Sequence, residues 1–151
     1  MVCLGNICRS PLAEGILADK VSKAGLDWFI DSAGTSGYHI GEQPHVLSRQ
    51  TAASHGIDIS KQKGRQFIQE DMFRFDRIYV MDQDNFLEVK RMAGSAWDET
   101  KVSLILDQLY PGENREVPDP WYGTREDFQF VYDLLDKACD ALIHRIATEN
   151  S

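Results

Sequence analysis

No run in the 151-residue sequence approaches the ~18 consecutive apolar residues of a membrane span. The opening Met1-Val2-Cys3-Leu4-Gly5 also lacks the basic stretch and apolar core of a secretory signal. A cytoplasmic protein with reduced thiols and no membrane partner is therefore expected. Cysteine is scarce, and Cys3, Cys8 and Cys139 form an odd set without C-x-x-C spacing. Neither a disulfide framework nor a zinc site is expected, and thiol reactivity becomes the better question. Basic residues are outnumbered, 16 Lys and Arg against 24 Asp and Glu, and they never cluster. The net charge of -8 would repel a polynucleotide, so no nucleic-acid partner is expected. It also weakens long-range steering of any anionic substrate, so anion affinity has to come from local amides and single arginines. Internal repeats, low-complexity tracts and Ser- or Pro-rich linkers are missing as well, which leaves one domain over residues 1–151 as the expectation.

What is present alternates between short apolar runs and amphipathic stretches. Pro11 suits the first position of a helix, and Leu12, Ile16, Leu17 and Val21 continue its apolar face until Gly25. Trp28-Phe29-Ile30 reads as a buried strand ending in Asp31-Ser32-Ala33-Gly34. Pro44 opens a helix through His55 that Gly56 ends, and Ile78 to Met81 reads as a strand. A helix over Asn85 to Met92, a strand over Val102 to Leu106 and a helix from about Glu126 to Ile146 follow. The last should turn Phe130, Leu134, Leu135, Ala138, Leu142 and Ile146 inward. Such alternation predicts an α/β three-layer sandwich, a parallel sheet flanked by helices, with ligands at the carboxyl ends of the strands. Cys3, Gly34, Asp82 and the loop after Leu106 would share that edge.

The chemistry gathers in Cys3-Leu4-Gly5-Asn6-Ile7-Cys8-Arg9-Ser10-Pro11, where five residues separate a cysteine from an arginine between an apolar start and a helix. Alone, Cys-x5-Arg is a weak signature, and an isolated cysteine is more often a buried structural residue. In this setting each residue has work to do. A loop running into a helix N-terminus aims backbone N–H groups inward, a nest for a dianion. Gly5 eases the turn, and Asn6 tolerates left-handed backbone while holding the loop shape. Arg9 can meet two phosphate oxygens with its planar fork. The same positive field favours the thiolate of Cys3, the nucleophilic form. Ser10 can donate to that sulfur and stabilise it as a leaving group.

This run, followed by Leu12-Ala13-Glu14, resembles the low-molecular-weight protein tyrosine phosphatases. The resemblance continues through Asp31-Ser32-Ala33-Gly34-Thr35, His55-Gly56-Ile57, Met81-Asp82 and Asp119-Pro120-Trp121-Tyr122-Gly123. It implies a four-stranded parallel sheet with the phosphate loop between first strand and first helix. It also implies metal-free, cofactor-free hydrolysis of a phosphotyrosine protein, with inorganic phosphate as product or inhibitor and a monomer or weak dimer as the working unit. The phosphate-binding residues would be Leu4 to Ser10, with Cys3 as nucleophile and Asp119, between two prolines, as general acid. Tyr38, Trp121 and Tyr122 would wall the substrate ring, although an exposed tyrosine such as Tyr38 can equally be incidental surface. Many members have Tyr where Trp121 stands. Ser36 and His55 would bond Asn6 and support the loop, His55 alternatively serving only the end of its helix. Asp82 would accept a bond from near the loop, Cys8 would pair with Cys3 under oxidation, and Cys139 would be core.

Only Met1 and Val2 precede Cys3, a poor strand by length, so a clipped start or a misassigned initiator is expected. Two rival activities share the fold. Thioredoxin-linked arsenate reductases use further cysteines after the third strand, and residues 82 to 106 contain none. Protein arginine phosphatases carry Thr where Ile7 stands, so phosphotyrosine is preferred.

Overall fold

Four short parallel strands form the middle layer of the computed structural model, which describes residues 1–149. They are β1 (Val2–Cys3), β2 (Ala33–Gly34), β3 (Ile78–Val80) and β4 (Val102–Leu104), ordered β2-β1-β3-β4. Val2 pairs with Ala33 on one side and Val80 on the other, Cys3 pairs with Gly34, and Ile78 to Val80 pair with Val102 to Leu104. The strands are joined through α1 (Arg9–Lys23), α2 (Val46–Ser54), α3 (Asp71–Arg74) and α4 (Gln83–Ala93), and α5 (Arg125–Glu149) follows β4. Short 3-10 turns span Gly94–Ala96 and Ile105–Gln108.

The two-residue period of a strand distributes side chains to both faces. Cys3, Tyr79 and Met81 join Leu12, Ile16, Leu135 and Leu142 in one apolar cluster, the side of α1 and α5. Val2, Ile78 and Val80 join Met72 and Val89 in the other, the side of α3 and α4. Both faces of the sheet are thus covered, as the alternating sequence pattern predicts for a three-layer α/β fold.

Three local expectations are corrected. Trp28 to Ile30 is not a strand: on this side of β1 the ladder partners are Ala33 and Gly34, so the strand lies after the apolar run. Trp28 and Ile30 instead pack sideways on the first cluster, and Phe29 stacks on Phe75. The first helix begins at Arg9, putting Pro11 at its third position, where a missing N–H costs nothing because the first turn has no internal acceptor. In α5 the buried stripe runs Phe128, Val131, Tyr132, Leu135, Ala138, Cys139, Leu142 and Ile146. Phe130 falls off that three- and four-residue spacing and is exposed.

Candidate active site

Cys3 ends β1 at the carboxyl edge of the sheet, and the chain wraps through residues 4–8 before α1 begins. Four of the carbonyls around this wrap are tied to neighbouring segments. Cys3 O accepts from Thr35 N–H at 2.9 Å, Leu4 O from Ser36 N–H at 2.8 Å and Ile7 O from His45 N–H at 2.8 Å. Cys8 O accepts from the Ser48 hydroxyl at 2.9 Å. In a planar trans peptide the N–H points opposite to the C=O, so the amides of Leu4, Gly5, Cys8 and Arg9 turn inward, toward the space above Cys3.

Asn6 locks the shape from inside. It adopts φ 55, a left-handed conformation uncommon for a residue with a side chain. Its Nδ2 donates to Ser10 Oγ at 2.8 Å and to Ser32 Oγ at 2.9 Å, while its Oδ1 accepts the backbone N–H of Arg65 at 3.0 Å. An amide nitrogen can only donate, so Ser10 Oγ accepts there, and its own proton has two acceptors within reach, the Cys3 sulfur at 3.1 Å and the Ala33 carbonyl at 3.5 Å. The Ser32 hydroxyl in turn donates a hydrogen bond to Glu14 Oε1 at 2.6 Å. Burial raises the Glu14 pKa, with the Ser32 bond pulling the other way.

Arg9 is 2% exposed and aimed by three groups. Its Nη1 donates to Asp82 Oδ2 at 2.7 Å and to Val117 O at 3.0 Å, and its Nη2 lies 3.8 Å from Asp119 Oδ2. Burial opposes its charge, but Cys3, Asp82 and Asp119 outweigh that cost and lift its pKa above the usual value. Asp82 is shared. Its other oxygen caps α4 by accepting the Asn85 N–H at 2.8 Å, with Asn85 reciprocating in a capping box. Asp119 is carried by a segment tethered where Val117 N–H donates to Met81 O at 2.9 Å, and its Oδ1 accepts the Trp121 N–H at 3.1 Å.

These groups open on a cleft of about 630 Å³. Nearly fully buried Cys3 and Arg9 line it together with Asp119, and Leu4, Gly5, Ile7 and Cys8 add the loop. Its remaining walls are Ser36, Tyr38, His39, Trp121 and Tyr122. Burial pushes the Cys8 thiol up to about 12, with Asp119 and Cys3 adding to the effect, so it stays protonated at neutral pH. Cys139, buried in α5, is likewise pushed up to about 12. Among the described residues no group of three or more His, Cys, Asp or Glu side chains is placed to hold a metal ion.

The family model for low molecular weight phosphotyrosine protein phosphatase matches residues 1–151. The chain belongs to this family. It is 41% identical over 150 residues to a putative low molecular weight protein-tyrosine-phosphatase of Synechocystis, covering 98% of this chain and 95% of that one. The crystal structure of YfkJ from Bacillus subtilis superposes with a TM-score of 0.89 at 37% identity, covering 99% of this chain and 94% of YfkJ. A Drosophila arginine phosphatase structure gives the same TM-score at 31% identity, covering 96% and 94%.

Within this low-molecular-weight phosphatase, two residues expected to bond Asn6 do not do so. Ser36 lines the cleft and bonds Leu4 through its backbone. His55 lies at the end of α2, its ring stacked 4.0 Å from Tyr132 and its Nε2 3.2 Å from Gln129 Oε1. Their places are taken by the Ser32 hydroxyl and the Arg65 backbone. Ser32 could have been found, since it precedes the strand that lies against the loop; a backbone amide leaves no trace in residue identity. Asn6 is the left-handed residue, in line with its expected tolerance of that conformation, and Gly5 leaves room for His39, whose Cδ2 would stand 3.0 Å from a Cβ there. Gly34 is the tighter position, a Cβ meeting Asn6 N, Gly5 C and Leu4 O at 2.9 Å each.

Proposed function

We propose that this chain hydrolyses phosphotyrosine in proteins in two steps, with Cys3 as nucleophile and Asp119 as general acid and then base. The observation that carries the reading is the set of loop carbonyls bonded outward around Cys3, which leaves inward amides and the Arg9 guanidinium to receive a dianion. Cys3 Sγ attacks phosphorus in line, and the P–O bond to the tyrosine oxygen breaks as Asp119 protonates that oxygen. Asp119, now a carboxylate, takes a proton from water. The water oxygen attacks the phospho-cysteine, and the thiolate leaves into the hydrogen bond from Ser10. Inorganic phosphate is the product and, at high concentration, an inhibitor. The loop amides and Arg9 balance the equatorial charge, the electrostatic part of phosphoryl transfer.

The aromatic walls of Tyr38, Trp121 and Tyr122 favour a flat leaving group, and so phosphotyrosine over phosphoserine. Ile7 offers the cleft no hydroxyl to orient water on a phospho-cysteine, which favours phosphotyrosine over phosphoarginine. The substrates we propose are cytoplasmic phosphoproteins, acted on by a monomer or weak dimer. No helix among the described residues is long and apolar enough to cross a membrane. Turnover of matched phosphotyrosine, phosphoserine and phosphoarginine peptides tests the reading. Phosphotyrosine should be preferred by at least tenfold, and faster turnover of phosphoarginine would replace it with the arginine-phosphatase alternative.

A further inference from the structure

Trp121 is held between two imidazoles that come from one stretch of chain. The His39 ring lies 5.3 Å from the indole and is tilted by 40°, and the His45 ring meets it edge-on at 5.5 Å and 71°. Both separations fall in the favourable range for aromatic pairs. Each imidazole is itself anchored. Glu42 accepts from Nδ1 of His39, and the opposite ring edge occupies the space beside Gly5. His45 caps α2, its Nδ1 accepting the Leu47 N–H at 3.0 Å, and its face stacks at 4.9 Å on the fully buried Phe128. Through these two imidazoles the indole is tied to the loop at Gly5, to α2 and to α5.

Trp121 in turn holds Asp119. Its backbone N–H, not the indole N–H, occupies Asp119 Oδ1, which leaves Oδ2, the oxygen nearer Arg9, to carry the transferable proton. The Asp119 side chain is 43% exposed and has little packing of its own to aim it. Proton transfer is sensitive to aim, a misplacement of ~1 Å being able to cost ~10²-fold in rate.

We propose that His39 and His45 are positioning residues for the proton-transfer step, clamping Trp121 so that the 119–121 turn points Asp119 Oδ2 at the leaving oxygen. The proposal rests on the proton-donor role of Asp119 given above. The His45 nitrogen that faces Leu47 accepts a hydrogen bond, so the ring acts as a neutral imidazole, in keeping with a pKa lowered by burial and by Arg49.

The test is kcat/KM for a series of aryl phosphates whose phenols differ in acidity, with inhibition by inorganic phosphate measured alongside. Asp119→Asn sets the slope of a site without a donor. His39→Ala and His45→Asn, the latter keeping an acceptor for Leu47, should each lower kcat/KM for phenyl phosphate about 3–10-fold while barely touching dinitrophenyl phosphate, the scale of a lost aromatic contact. Phosphate inhibition should hold within about twofold, and His39→Phe, which keeps a ring against Trp121, should recover most of the loss. Slopes equal to that of the unsubstituted protein, beside a steep Asp119→Asn, overturn the clamp alone. Losses equal across all leaving groups, with phosphate inhibition weakened, also overturn it by showing general damage to the cleft. A flat Asp119→Asn slope removes the donor role and the clamp together.

Discussion

The loop from Cys3 to Ser10 and the aromatic entrance lie at one edge of one sheet but are built in opposite ways. From Cys3 to Ser10 the chain is mostly buried, four of its carbonyls are tied to two neighbouring segments, and Asn6 alone makes three side-chain bonds. At the entrance, Tyr38 is 89% exposed and Tyr122 97% exposed. A dianion of fixed shape rewards donors that need no rearrangement, because their dipoles are already aimed when charge develops. A protein substrate presents variable surface, and exposed rings can meet it by apolar contact. Trp121 and Asp119 stand between the two regimes, packed by two imidazoles on one side and open to solvent on the other.

If the loop holds the chemistry and the entrance only affinity, substitutions should sort by region. Cys3→Ser should have the largest effect, lowering kcat by ~10⁴-fold or more, while calorimetry still detects phosphate binding. A variant that retains turnover would break the contrast at its root. Asn6→Ala comes next, because it removes three bonds and leaves an ordinary side chain in a left-handed conformation. A loss of roughly 2–4 kcal/mol in denaturant unfolding and of about 10²-fold in kcat should follow. Gly34→Ala pushes a methyl against three backbone atoms that cannot swing away, and about a tenfold loss in kcat/KM is expected from steady-state kinetics. Tyr38→Ala and Tyr122→Ala sharpen the other half of the comparison. Each should raise KM for phosphopeptides about 2–5-fold at constant kcat, the mark of contacts made equally in ground and transition states.

The smallest effect is on stability against pH. Burial, with Arg49, lowers the His45 pKa below its ordinary 6.5, so the unfolded chain takes up the proton first. The corresponding stability is fully present above 6.5, is lost as pH falls through that value, and stops changing below the lower folded pKa. Thermal melts from pH 7.5 to 5 should show this component vanish in His45→Asn. An identical pH profile in the variant would mean that His45 plays no part.

Much of the loop was legible because its parts are consecutive. Cys3, Asn6, Arg9 and Ser10 lie within one turn and the start of one helix, so their spacing already sets which of them can meet. Asp82 could be read as a strand-end residue at the same edge, and the bond it accepts from Arg9 follows from that placement. Expectations failed where distant segments compete for one position. Trp28 to Ile30 has strand composition but no ladder to join. Ser32 and Ser36 lie on either side of β2, and only the packing of that strand against the loop selects Ser32. Phe130 looked apolar enough for the core, yet the rotation of α5 is set by Phe128 and Leu135.

From residues alone came the α/β alternation and the cysteine–arginine loop, because each is written in local spacing; the role expected of Asp119, far from the loop in sequence, came from the family resemblance. Tertiary structure alone decided which hydroxyl and which backbone amide lock Asn6, which Asp119 oxygen is left free, and that two histidines grip Trp121. Those outcomes depend on the distances between segments remote in sequence, and such distances exist only once the sheet and its helices have packed.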